Sequence, residues 1–351
     1  MKRPWLAPLT PLYAAGVSLR NLRIEKGWEQ THRLRGPVIS IGNLSTGGSG
    51  KTPLTIALAK ALTQRGFQVD VLSRGYGRRS RLPARVDSMG SAEEFGDEPL
   101  LIAREAAVYV AAQRYEAGSL AESAEASLVG RGFSPGTMAA EPTRALAPEG
   151  IFASCRSVLH ILDDGFQHRQ LHRDVDILLL NAEDWRDSLL PAGNLREPLN
   201  ALRRATIIAI PADEPTLEAD LRSYGWQGPI WHLHRKMEVL PVTGPVAAFC
   251  GIARPEQFFV GLENAGVKIV VRTAFPDHHR YTIADMKRLT TEATKAGATT
   301  LLTTEKDAVR LGKLAASLPA YLSLKTVRLR VEIENEAQAI EWMANELGIP
   351  L

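Results

Sequence analysis

The chain has 351 residues, 45% of them hydrophobic, which is enough for two domains with cores of their own. Its formal charge of +3 excludes the strongly basic balance of a general nucleic-acid binder, and no nucleic-acid partner is expected. Cys155 and Cys250 stand alone, without Cys or His at zinc spacing, which suits a reducing compartment better than a disulfide framework, and no apolar run is long enough to span a bilayer.

Residues 1–36 form a first unit. WLAPLTPLYAAGVSL follows Lys2 and Arg3 and leads into Arg20, Arg23, Lys26, Arg33 and Arg35. A basic start and a short apolar stretch resemble a signal peptide, but Pro8 and Pro11 interrupt that stretch. From Pro11, Leu12, Ala15, Leu19 and Leu22 recur at helical spacing, with Arg20, Arg23 and Lys26 mostly off the stripe. A helix lying in a membrane interface and a helix docked on the protein's own core both fit this pattern.

From residue 37 strand-like and helical runs alternate. VISIGNL, QVDVLSR, SVLHILDD, DVDILLL and ATIIAI are short, mostly apolar and rich in β-branched residues, as expected of strands buried on both faces. PLTIALAKALTQRG lies between the first two and closes on Gly66, completing a βαβ rhythm. The expected fold is therefore α/β, a doubly wound, mostly parallel sheet over 37–228. Residues 116–150, rich in Ala, Gly, Ser, Glu and Pro, read as a surface insertion. A second series of runs, from PVAAFCG to KDAVRLGKL, predicts a smaller α/β domain over 240–351, with WHLHRKMEVLPVTG carrying the connection.

Ser45-Thr46-Gly47-Gly48-Ser49-Gly50-Lys51-Thr52 matches GxxxxGK[ST], with Ser45 at the first glycine position. Glycines let backbone N–H groups converge on phosphate oxygens, and the helix that follows adds the positive end of its dipole. Lys51 can reach the β- and γ-phosphates, and the Thr52 hydroxyl can ligate Mg²⁺. The apolar strand before this loop and the amphipathic helix after it make the domain P-loop NTPase-like.

Further along, VLHILDDGFQH ends a strand in Asp163 and Asp164, two carboxylates able to serve a metal or its water shell. FGDEP offers Asp97 and Glu98; FPDHHRY offers Asp277, His278 and His279. Across a cleft between domains, a carboxylate and an imidazole from these islands can accept a proton from an alcohol. TTEKD reads as a helix start, Thr304 capping with Asp307 three residues on. Glu305 stands where a guanine-reading [NT]KxD motif needs Asn or Thr, so ATP is favoured over GTP.

Taken in order, GNLSTGGSGKTP, LSRGYGR, GDEP, LDDGFQH, GNLREP, FCGIARPEQFF, FPDHHRY and TTEKDA resemble the tetraacyldisaccharide 4'-kinase family, whose loop commonly opens with Ser or Thr. The resemblance implies a step of lipid A synthesis on the cytoplasmic face of a bacterial inner membrane. ATP would phosphorylate the 4'-hydroxyl of an acylated glucosamine disaccharide 1-phosphate. It further implies Asp97 as catalytic base with His278 as partner (His279 being the alternative), and Asp163, Asp164 and Glu197 around Mg²⁺ with Thr52 as a ligand. It favours the membrane-associated reading of the N-terminal helix. Arg74 and Arg196 are available for phosphate or sugar contacts. The rival from another class is a membrane-recruited, partitioning-type regulatory ATPase. Such proteins carry a lysine where this chain has Thr46, and they have no use for Asp97 with a histidine-bearing second domain.

Overall fold

The computed structural model describes residues 3–130 and 158–350. An N-terminal helix α1 (Thr10–Glu25) leads to β1 (Val38–Asn43), α2 (Lys51–Gln64), β2 (Gln68–Ser73) and a short β3 (Ala84–Arg85). Two brief helices, α3 (Ala92–Phe95) and α4 (Asp97–Ile102), precede β4 (Ala107–Val110) and α5 (Arg114–Gly130). Next come β5 (Val158–Asp163), β6 (Val175–Leu179), α6 (Ala182–Trp185), β7 (Ile207–Pro211), α7 (Pro215–Ser223) and β8 (Ile230–Val239). The chain continues through β9 (Val246–Cys250), α8 (Pro255–Asn264), β10 (Ile269–Ala274), α9 (Ile283–Lys295) and β11 (Thr300–Thr304). It closes with α10 (Glu305–Leu311), β12 (Ser323–Ile333) and α11 (Glu336–Leu347).

These strands form a 12-stranded sheet in the order β10-β9-β11-β12-β8-β7-β6-β1-β5-β2-β4-β3. Its pairs are parallel except β3 with β4 at one edge and β12 with β8 inside. The runs expected as strands buried on both faces are such strands: every residue of β1, β6 and β7 is buried. Helix α2 covers β1, β2 and β5 with Leu54, Leu58 and Leu62, a fully buried i, i+4, i+8 stripe. Gly66, at φ +91°, turns the chain from α2 toward β2.

Three stretches differ from the sequence reading. WHLHRKMEV, expected as a connection, is β8; its apolar residues Trp231, Leu233, Met237 and Val239 alternate with polar ones, a period-2 signal that the charged residues obscured. Residues 116–130, expected to open a surface insertion, belong to α5, where Ala117 and Ala121 are buried one helical turn apart against Leu72, Tyr109 and Leu162. Small side chains allow that close approach: a Cβ on Gly118 would lie 2.3 Å from Leu34. The remainder of the expected insertion, residues 131–150, lies outside the described residues, as does Cys155. Lastly, the C-terminal part of 240–351 packs on the first lobe. Ile340 and Met343 of α11, with Val331 and Ile333 of β12, join the core of Ile39, Ile41 and Leu54.

The two lobes thus share one sheet. The first half of β12 pairs with β11, in register Thr300↔Ser323 to Thr304↔Val327; the second half pairs with β8, from Val327↔Val239 to Ile333↔Leu233. A separate core of Phe249, Phe275, Tyr281, Met286 and Leu301 fills the second lobe. Helix α1 lies outside both cores. None of its residues is buried, and Leu12, Ala15, Leu19 and Leu22 all face solvent. Among the described residues no helix is long and apolar enough to cross a membrane.

Candidate active site

Strand β1 has β5 on one side and β6 on the other, both parallel to it, so chain connections diverge at its carboxyl end. Such a switch point leaves a crevice above the strand ends. The glycine-rich loop starts here. Ser45 forms an extended bridge with Leu195, and its φ is not positive, so this position does not require the glycine of the consensus pattern. Gly47 and Gly50 do need their freedom, at φ +124° and +92°. Lys51 opens α2, and the loop amides sit at that helix's N-terminus.

A cleft of about 1400 Å³ runs over the loop and between the lobes. The second lobe reaches across it, with Ala253 3.6 Å from where a Cβ on Gly47 would be, and Arg235 of β8, between the lobes, donates from Nη2 to Ser49 O at 2.8 Å.

The floor is a polar network centred on Asn43, Asp164 and Arg196. Lys51 Nζ donates to Asn43 Oδ1 at 2.9 Å and stands 3.4 Å from Asp164 Oδ1. Arg196 reaches Ser45 O (3.0 Å), Asp164 Oδ2 (3.1 Å), Gln167 Oε1 (3.1 Å) and Asn43 Oδ1 (3.3 Å). Asp164 is left-handed, at φ +50°, and Gly165 is in such close quarters that a Cβ would meet Leu162 and Ser40. The strained turn aims the second carboxylate into the cleft while the first stays in the strand.

Their surroundings drive the two aspartates apart. Burial, with Glu98 and Asp164 adding to it, pushes Asp163 up to about 7; Thr55 Oγ1 donates to its Oδ1 at 3.3 Å. Burial also works to raise Asp164, but Lys51 and Arg196 outweigh it and hold that carboxyl down at about 2.

The FGDEP and FPDHH islands meet. His278 lines the cleft, with Nδ1 3.3 Å from Asp97 Oδ2; its backbone is also left-handed, at φ +57°. Asp97 lies behind it, 5% exposed and not among the cleft-lining residues. Burial would raise Asp97, yet His278, Arg310 and Lys306 hold it well below the usual carboxylate range. The hydrogen bond to Asp97 raises His278 in turn, against its own burial. An ionised carboxylate only accepts, so Asp97 at 3.3 Å favours the tautomer with its proton on Nδ1 and its lone pair on Nε2, while Arg310 Nη2, 3.2 Å from the same nitrogen, donates to Asp97. His279 is elsewhere: stacked on Phe275, it meets Asp285 Oδ2 of the α9 cap at 3.1 Å.

Glu197 departs from expectation. It does not line the cleft; Arg204 binds its Oε2 at 2.6 Å and Asn21 of α1 approaches the same oxygen at 3.4 Å. Among the described residues no three His, Cys, Asp or Glu side chains form a metal-holding group. Glu197 instead fixes the segment carrying Arg196, its chain neighbour. Arg74, Thr52 and Glu98 line the cleft as well. Sequence reasoning missed Lys306, whose Nζ meets Glu98 Oε1 at 2.5 Å, and Arg310. Lys306 stood within TTEKD, which read as no more than a helix start, and the only signal for Arg310 was charge on the helix that follows.

A family model described as tetraacyldisaccharide-1-P 4'-kinase matches residues 2–348. A protein named tetraacyldisaccharide 4'-kinase from Koribacter versatilis is 41% identical over 337 residues, covering 92% of this chain and 94% of that protein. A namesake from Aquifex aeolicus is 34% identical over 355 residues, covering 96% of each. The solved structure of LpxK from Aquifex aeolicus, described as in complex with ATP, aligns with a TM-score of 0.69 and 31% identity over 97% of this chain and 98% of that one.

Proposed function

The chain belongs to the tetraacyldisaccharide-1-P 4'-kinase family, and on that premise we propose how its residues carry out the reaction. It is an ATP-dependent kinase that moves the γ-phosphoryl group to the 4'-hydroxyl of an acylated glucosamine disaccharide 1-phosphate. The bond from γ-phosphorus to the β,γ-bridging oxygen breaks, a bond to the sugar oxygen forms, and the hydroxyl proton passes to the protein. One observation carries this reading: the Lys51 loop, the Asp163–Asp164 turn and His278, with Asp97 behind it, border one cleft.

The domain is P-loop-type in this reading. Amides of residues 45–52 hold the triphosphate, and Lys51, now tied to Asn43 and Asp164, exchanges those contacts for phosphate oxygens. The transition state is loose, so orienting the hydroxyl matters more than a strong base. Because the imidazole stands between Asp97 and the cleft, His278 Nε2 receives the proton and Asp97 stabilises the imidazolium formed. This reverses the roles read from sequence, in which Asp97 met the hydroxyl.

Mg²⁺ fits the donors present. Glu98, Asp163 and Asp164 crowd negative charge at one end of the cleft, seen in the raised Asp163, and hard oxygen donors suit this ion. Thr52, Asp163 and Asp164 would hold it, and it would supply charge neutralisation on the phosphate oxygens.

Helix α1 is the membrane element. Leu9, Leu12, Leu19 and Leu22 are exposed beside Arg20, Arg23 and Lys26, which favours an interfacial helix on an anionic leaflet over one docked on the protein's core. Tyr13 of that helix donates to Arg196 O at 3.0 Å, so the lipid-facing helix is tied to the cleft floor. The acceptor is itself a lipid, and the surface expected is the cytoplasmic face of the inner membrane.

Incubating the purified protein with ATP, Mg²⁺ and an acylated glucosamine disaccharide 1-phosphate tests the reaction. Mass spectrometry should find one added phosphate on the lipid. ATP hydrolysis with an unchanged lipid would mark a partitioning-type ATPase instead.

A further inference from the structure

Helix α10 starts as its sequence suggests, with Thr304 Oγ1 accepting from Asp307 N at 3.1 Å. The cap leaves the rest of its polar side unexplained. Arg310, the sixth residue of the helix, has a side chain only 6% exposed. Its Nε donates to Asp97 Oδ2 at 2.7 Å, and Nη2 donates to the same oxygen. Its Nη1 reaches Gly251 O at 2.5 Å and Asp307 Oδ1 at 3.1 Å. Asp307, fully buried, is itself held by Gly251 N and the Tyr281 hydroxyl, each at 3.0 Å. The guanidinium plane is thus set by oxygens on three segments of the second lobe and first lobe together.

A fork on one carboxylate oxygen fixes that carboxylate in position and orientation, which a flexible ammonium does not. It also matters electrically. A carboxylate buried as deeply as Asp97 without a countercharge would take up a proton and lose the negative charge that stabilises an imidazolium beside it.

We propose that Arg310 is a positioning residue of the phosphoryl transfer: it locks Asp97, which in turn sets the plane and tautomer of His278 at the cleft. Arg310 touches no reacting atom. Its action runs through two other side chains, and it ties Asp97 of the first lobe to the second lobe, which carries His278 and Arg310 itself. The inference rests on the reading of His278 and Asp97 given under Proposed function.

A double-mutant cycle on the full chain separates this role from a brace between lobes. Arg310→Gln should lower kcat about 10²-fold, the scale of losing one preorganised polar contact, with KM for ATP unchanged. In an Asp97→Asn background the same substitution should cost less than about threefold more, because the two act as one unit. Losses that multiply in full, or a KM for ATP that moves with kcat, would overturn the proposal in favour of a brace. Should Arg310→Gln fail to fold by thermal melting, Arg310→Lys keeps the charge and loses the fork; it should drop kcat at least about tenfold at an unchanged Tm, and full kcat would overturn the proposal. Normal turnover by Asp97→Asn would instead remove the proton-acceptor reading itself. An inactive Asp97→Asn beside an unimpaired Arg310→Gln would remove only the role of Arg310.

Discussion

Asp163 and Asp164 adjoin in sequence and behave oppositely as acids, because one ends a buried strand and the other turns toward Lys51 and Arg196. For Asp163 the folded value, about 7, lies above its ordinary 3.8. Between the two the folded chain keeps a proton that the unfolded chain has released, so this group's contribution to stability falls as pH rises from about 4 to 7. Asp163→Asn, which keeps the oxygen that accepts from Thr55, should therefore melt above the parent at pH 8 and with it near pH 4, while losing Mg²⁺-dependent turnover. Equal melting at pH 8 would contradict the crowding argument. Asp97 has the opposite sign: its depressed folded value stabilises the protein above the ordinary carboxylate range and that stabilisation is lost on acidification. Lys51→Ala should cut kcat by about 10²-fold or more, read as phosphate transferred to the lipid acceptor, since one preorganised charge contact is lost.

At the scale of elements, β1 and α1 show two kinds of dependence on their surroundings. Gly42 has no side chain because Phe166 fills the space: a Cβ would lie 2.5 Å from the Phe166 Cβ and 2.8 Å from its N. Backbone cannot give way as a flexible tip can, so Gly42→Ala should cost about 1–3 kcal/mol in denaturant unfolding. Helix α1 is the reverse case, with an apolar stripe left exposed by the described residues. Replacing Leu12 and Leu19 with Glu should leave Tm unchanged and lower partition onto anionic vesicles at least about tenfold, since two leucine side chains no longer enter the interface. A fall in Tm with vesicle binding intact would show the stripe to be structural.

Across the whole molecule, β8 and β12 make one sheet of what composition suggested were two units. The buried pair Asp97–Arg310 and the cleft pair Glu98–Lys306 both join α4 of the first lobe to α10 of the second. If the glycine loop that the second lobe overhangs holds ATP as proposed, ATP should stabilise the whole chain as a unit. At a hundredfold excess over Kd the gain is about 2.7 kcal/mol, visible as one upward-shifted melting transition. Two separated transitions, with only one responding to ATP, would mean that the lobes melt independently.

The sequence by itself determined the buried parallel strands, the glycine loop with Lys51, the capped start of α10 and the islands that border the cleft. Each is a local pattern: period, turn chemistry and capping act over a few neighbouring residues. Only the tertiary structure decided that His278 rather than His279 faces Asp97, that Glu197 pairs with Arg204 outside the cleft, and that Arg310 secures Asp97 from 213 positions away. Charge on a side chain is legible in one dimension, but its partner is chosen by which strands and helices the hydrophobic cores bring together. Even β8 needed β7 and β12 on either side before its charged run could become a strand.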